Sequence, residues 1–160
     1  MNLSFRCAPR VRFAIRCLAL LFIVADAHAG APAGRYTYPA AGTVLDTKTR
    51  LTWQQSIPTS QMSHAASVTY CSGLNLAGTG WRLPTVRELL TLIDYSQTAG
   101  GTVPMIDATA FPSTPTYYFW SATLVAGQDG ALAWGVLFTG SGGSSDLVAS
   151  AHAVRCVRGG

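Results

Sequence analysis

Between Val44 and Arg158 the chain alternates short apolar runs with polar turns, and the period of each run predicts an element. Val44-Leu45 and Leu51-Thr52-Trp53 flank the polar segment Asp46-Thr-Lys-Thr-Arg50, which reads as a β-hairpin. A helix is predicted from an N-cap at Ser63 to Leu74, with Ala66, Tyr70 and Leu74 on one face at i, i+4 and i+8. Gly73, Gly78 and Gly80 end it and lead into the extended Trp81-Arg82-Leu83. Pro84 then stops the chain, and Thr85-Val-Arg-Glu88 has the spacing of a capping box, with Leu89, Leu90, Leu92 and Ile93 as the buried stripe of a second helix. A long Pro-, Gly- and Thr-rich connection follows, pinned by Ile106-Asp107 and Phe111. Tyr117–Thr123 and Leu132–Thr139 read as two strands; in the second, Trp134, Val136 and Phe138 alternate with Ala133, Gly135 and Leu137. The run from Gly140 to Asp146 is expected to be a flexible loop, and Ala151–Arg158 a last strand.

The N-terminus lies outside this pattern. Residues 1–16 carry four arginines and no acid, an apolar run spans Cys17–Ala25, and Ala27-His28-Ala29 precedes Gly30. That is the order of a secretory signal peptide cleaved after Ala29, with an uncleaved anchor as the alternative. The apolar run is far shorter than the roughly 20 residues a spanning helix needs. The expected organisation is a signal peptide over 1–29, a leader over 30–42 and one domain over 43–160, in a protein that is periplasmic or secreted and keeps no stable membrane span.

Removing the signal peptide changes the charge and the chemistry. Four of the 11 basic residues and one of the 7 acids lie in it, which leaves 7 against 6 and a net charge of +1. A nucleic-acid partner needs a concentrated basic face, and this chain offers none. Cys7 and Cys17 also leave, so Cys71 and Cys156 are expected to form one disulfide in an oxidising compartment. A free thiol nucleophile is the competing reading.

The charged cluster around the second helix reads as scaffold. Thr85 and Glu88 cap each other, and Arg82 and Arg87 can pair with Glu88 or Asp94. The acids are otherwise scattered, Asn75 is the one asparagine after the leader, and His64 and His152 stand apart and are expected at the surface. Neither calcium, which wants several converging oxygens, nor zinc, which wants three or four ligands, is expected; no cofactor is called for. There is no Gly-x-Ser-x-Gly elbow and no phosphate-binding glycine loop. The candidate binding surface is formed by the late loops, with Tyr117, Tyr118, Trp120, Trp134, Ser141, Ser144 and Asp146, because aromatics beside small polar residues make stacking platforms. Trp120 and Trp134 have a core reading beside the binding one.

The segments VLDTKTRLTWQ, YCSGLNLAGTGWRLPTVREL, FWSAT, AWGVLF and the terminal VRCVRGG together resemble the Lcl C-terminal domain family, over about Val44 to Gly160. Within the LAGTGWRLPTVREL block, Trp81, Arg82, Thr85 and Glu88 carry the motif. The resemblance implies an α+β, C-type-lectin-like single domain with two helices and a mostly antiparallel sheet with long loops. The family's namesake, a collagen-like adhesin of Legionella, binds sulfated glycosaminoglycans; this chain has no collagen repeat and few cations for sulfates. The expectation is therefore a non-enzymatic binding or adhesion module for a glycan or protein at the cell envelope or surface. Two alternatives stand: a thiol-dependent enzyme of the formylglycine-generating group, which shares this broad fold, and a structural envelope component without a soluble ligand.

Overall fold

The structure is a computed structural model that describes residues 31–97, 104–140 and 142–159. The expected signal peptide, the middle of the long connection and Ser141 lie outside the described residues. Two helices and two antiparallel sheets make an α+β domain, and among the described residues no helix is long and apolar enough to cross a membrane.

The predicted hairpin forms from β2 (Thr43–Asp46) and β3 (Thr52–Gln54), with Val44 opposite Trp53. Its turn is closed by Asp46, whose Oδ1 accepts the N–H of Lys48 at 2.9 Å, a local bond that Asp makes readily. The leader takes part in the fold: β1 (Tyr36–Thr37) pairs with β2, and Arg35 meets the fully buried Asp46 at 3.1 Å. On the other side of β3 lies β7 (Val157–Arg158), giving the order β1-β2-β3-β7.

Helix α1 (His64–Gly73) starts at the predicted cap, Ser63, whose side chain accepts the Ala66 N–H. Its buried residues are Ser67 and Cys71, with Tyr70 and Leu74 packed at the edge; Ala66 is exposed, so the predicted stripe is rotated. Cys71 is joined to Cys156 with both residues fully buried, so the 67/71 face is the one that meets the core. Helix α2 (Val86–Leu90) is one short stretch with the full capping box between Thr85 and Glu88. Leu89, Leu92 and Ile93 are buried as expected, the last two beyond the helix end.

The second sheet has the order β4-β5-β6, formed by β4 (Tyr118–Leu124), β5 (Leu132–Leu137) and β6 (Gly142–Leu147). The expected flexible loop at 140–146 is thus mostly strand. Glycine and serine carry no apolar period, so nothing local announces β6; six consecutive partners on β5, from Leu132↔Leu147 to Leu137↔Gly142, hold it. The expected last strand is likewise shorter than 151–158. That segment instead runs between elements: His152 pairs with Met62, Ala153 with Phe119, and Val157 with both Arg82 and Trp53.

Two apolar cores result. One gathers Trp53, Leu89, Ile106, Phe111, Phe119, Val136 and Phe138 between the sheets and α2. The other surrounds the disulfide with Trp81, Leu83, Trp120 and Val154. The predicted pins Ile106 and Phe111 are both fully buried.

Candidate functional site

Six of the seven residues expected on one late surface are described, and they fall in three places. Alternation along β4 sends Tyr117 and Tyr118 to opposite sides. Tyr117, just before the strand, is 53% exposed and borders a groove between residues 56–61 and 112–117. Tyr118 is half-buried and lies across β5. A Cβ placed on Gly135 would come within 2.4 Å of the Tyr118 ring, so the ring occupies the space a side chain would need. Its hydroxyl accepts the Gly135 N–H at 3.1 Å and donates to the Ser144 carbonyl, bridging β5 and β6. Burial raises the pKa of this phenol, so it stays protonated.

On the same face as Tyr118 sits Trp120, and the structure corrects its candidacy as a ligand contact: it is fully buried. The indole is large and flat, and the fold fills both its edges. Nε1 donates to the Met62 carbonyl at 3.1 Å, and the rings of His64 and His152 pack against it at 5.5 and 4.6 Å. The expectation that the two histidines are unrelated surface residues fails here. Far apart in sequence, they meet the same indole, and His152 also packs on Tyr118 at 4.6 Å. No local motif foretells this; it follows from the pairing of residue 152 with residue 62.

His152 Nε2 lies 2.9 Å from Asp146 Oδ2, and Asp146 also accepts the N–H of Leu147 at 2.7 Å. The Leu147 N–H, then the His152 contact, hold the Asp146 carboxyl below its ordinary pKa. Asp146 and Ser144 stand opposite Ala133 and Gly135, on the Tyr118 side of the sheet. Trp134 stands opposite Ser145 on the other side, 36% exposed. Trp120 is therefore a core residue, while Trp134 keeps part of its surface exposed. Ser141 lies outside the described residues.

The motif around α2 has a structural geometry. Arg82 grips Glu88 with two nitrogens, at 2.8 and 2.6 Å, while the Glu88 carboxylate accepts the Thr85 N–H at 2.7 Å. The Arg82 hydrogen bond lowers the Glu88 pKa against the opposing cost of desolvation, and the Thr85 N–H adds to it. Arg87 is exposed and has no carboxylate within ion-pair distance among the described residues. Trp81 is buried and donates to the Leu76 and Gly78 carbonyls, and Arg158 covers its ring at 5.0 Å. Among the described residues no three of His, Cys, Asp and Glu are placed to share a metal ion. Asp46, Glu88 and Asp146 face cationic or imidazole partners, and Asp107 accepts the N–H groups of Thr109 and Ala110.

No curated protein matches this chain. The sequence model of the Lcl C-terminal domain matches residues 42–158, which takes in both sheets from β2 onward, both helices and the disulfide. By that match the chain belongs to the Lcl C-terminal domain family.

Proposed function

We propose that this chain is an exported, non-enzymatic binding or adhesion module with a C-type-lectin-like fold, which recognises a glycan or a protein through the exposed Trp134 end of β5 and its β6 neighbours. One observation carries this reading. Trp134 is more than a third exposed in a domain that buries Trp53 and Trp120 completely, and Ser145 of β6 stands opposite it. A sheet-mounted indole loses little entropy on binding, and a neighbouring hydroxyl donates and accepts without charge. Leu147, 57% exposed on the same strand face, extends the apolar area.

Export is supported by the basic-apolar-small order of residues 1–29 and by the disulfide, which an oxidising compartment sustains. The disulfide also speaks against the thiol-dependent alternative, because both sulfurs are bonded and buried. A polysulfated ligand is disfavoured by where the cations are. Arg35 and Arg82 face carboxylates, Arg155 is fully buried and Arg158 lies on Trp81, which leaves Lys48, Arg50 and Arg87 as exposed cations outside the ion pairs among the described residues. The ligand we expect is weakly charged. Glycan and protein arrays probed with the wild type and Trp134→Ala test this: a binder whose signal falls at least tenfold in the variant supports the reading. Arrays without a binder, or with one indifferent to Trp134, overturn it.

A further inference from the structure

A second surface, away from Trp134, has the form of a preformed small-molecule site. Residues 56–61 and 112–117 face each other across a groove of about 310 Å³ floored by Ala153, at the lower end of the roughly 300–1,000 Å³ range of ligand sites. Both walls are fixed at their ends. Gln55 and Met62 close the first: Arg155 donates to the Gln54 and Gln55 carbonyls at 2.7 and 2.6 Å, and Met62 pairs with His152. The same guanidinium donates to the Thr114 hydroxyl at 2.8 Å and lies on Phe111 at 4.6 Å, which anchors the second wall. Within the walls Pro58, Pro112 and Pro115 have fixed φ, and Ile57 is packed against the first core. A groove held this way loses little freedom when filled.

Its chemistry is uniform. The polar groups along the described lining are the hydroxyls of Ser56, Thr59, Ser60, Ser113 and Tyr117 and the amide of Gln61. None is charged, and each can both donate and accept. A charged ligand would surrender hydration there for no opposite charge. Arg155 is not part of the lining: its side chain is fully buried, with Nη1 on the Gln54 and Gln55 carbonyls and Nη2 on the Thr114 hydroxyl. An extended proline-rich peptide would need a series of aromatics, and the groove has one.

The structure assigns this groove to one or two rings of an uncharged pyranose, with Tyr117 as the stacking face and the wall hydroxyls meeting the sugar hydroxyls. The site is separate from the β5–β6 surface and does not rest on it. The experiment is an amide-resolved NMR titration of the full chain with methyl glycosides of glucose, galactose and mannose. Parallel arms use glucuronate and a proline-rich decapeptide. At least one neutral glycoside is expected to shift Gln61, Ser113 and Tyr117, with tenfold or greater weakening in Tyr117→Ala and less than twofold in Trp134→Ala. Tyr117 is exposed enough that the variant keeps its fold, which an unchanged spectrum elsewhere verifies. The proposal is overturned if no neutral glycoside shifts the groove, if glucuronate or the peptide binds there more tightly, or if Tyr117→Ala binds like the wild type. Shifts confined to Trp134 and Ser145 also overturn it, while leaving the sheet-face reading standing.

Discussion

Gly135 shows how one atom can be excluded twice. A Cβ at this position would stand 2.3 Å from the Phe119 carbonyl oxygen and 2.4 Å from the Tyr118 ring. Both distances are far inside contact, and they differ in kind: a ring can swing aside, whereas a carbonyl in the β4–β5 ladder moves only with its strand. Gly135→Ala is therefore expected to cost about 2–3 kcal/mol of folding stability, the upper part of the range for overpacking. The cost should persist when Tyr118 is also truncated to alanine, since the backbone oxygen remains. Urea unfolding of the two single variants and the double variant checks this. Full rescue by Tyr118→Ala would show that the ring alone sets the requirement. The requirement serves the candidate sheet face indirectly, because the Tyr118 hydroxyl ties β6 to β5 and so fixes the strand beside Trp134.

Helix α2 has only five residues, too few to be stable by propensity, so its ends decide whether it forms. Glu88 serves both the Thr85 cap and the Arg82 fork, and its pKa is lowered chiefly by Arg82. A carboxyl with a depressed folded pKa contributes stability above its unfolded pKa and loses that contribution as pH falls through the folded one. Glu88→Gln keeps the capping geometry and removes the charge. The wild type should exceed the variant by up to about 1 kcal/mol at pH 7, a modest figure because the pair is partly exposed to water. The difference should shrink towards zero as pH falls below about 4, in the region where free carboxyls titrate. Denaturation at a series of pH values measures it, and a gap independent of pH would assign Glu88 a role other than its charge. This element was legible in the sequence because every partner lies within six positions of Glu88, and a local motif encodes local contacts. The β2–β3 hairpin was legible for the same reason. β6 was not, since GGSSDL has no apolar alternation and β5 is its one strand partner in the sheet. The Trp120–His64–His152 cluster and the groove were hidden too. Each is assembled from residues that sequence distance separates and that only the path of 151–158 brings together.

That terminal path makes the molecule one unit. Within seven residues it bonds to the segment before α1, to β4, to the strand-like Trp81-Arg82 and to β3, and Cys156 fastens it to α1. The disulfide joins positions 85 apart, and loop-closure entropy assigns such a link about 4–5 kcal/mol as an upper figure. Total stabilities of about 5–15 kcal/mol leave a domain without it only marginally folded. Cys71→Ala with Cys156→Ala is thus expected to lose about 3–4 kcal/mol in urea unfolding, slightly less than the entropic bound. The m-value offers a sharper criterion than the midpoint. If the link acts on the unfolded chain, releasing it lets that chain expand, so more surface is exposed on unfolding and m rises. If it acts by holding α1 in the native state, stability falls while m stays constant. The long span and the many backbone bonds that already hold residues 152–157 favour the first mechanism. An unchanged m with a loss above about 3 kcal/mol would shift the role of Cys71 to positioning the helix. Because the two sulfurs are bonded to each other, the exported protein should show no titratable thiol, native or unfolded, until a reductant is added. Thiol appearing under native conditions would break this account and reopen the thiol-dependent reading of the whole chain.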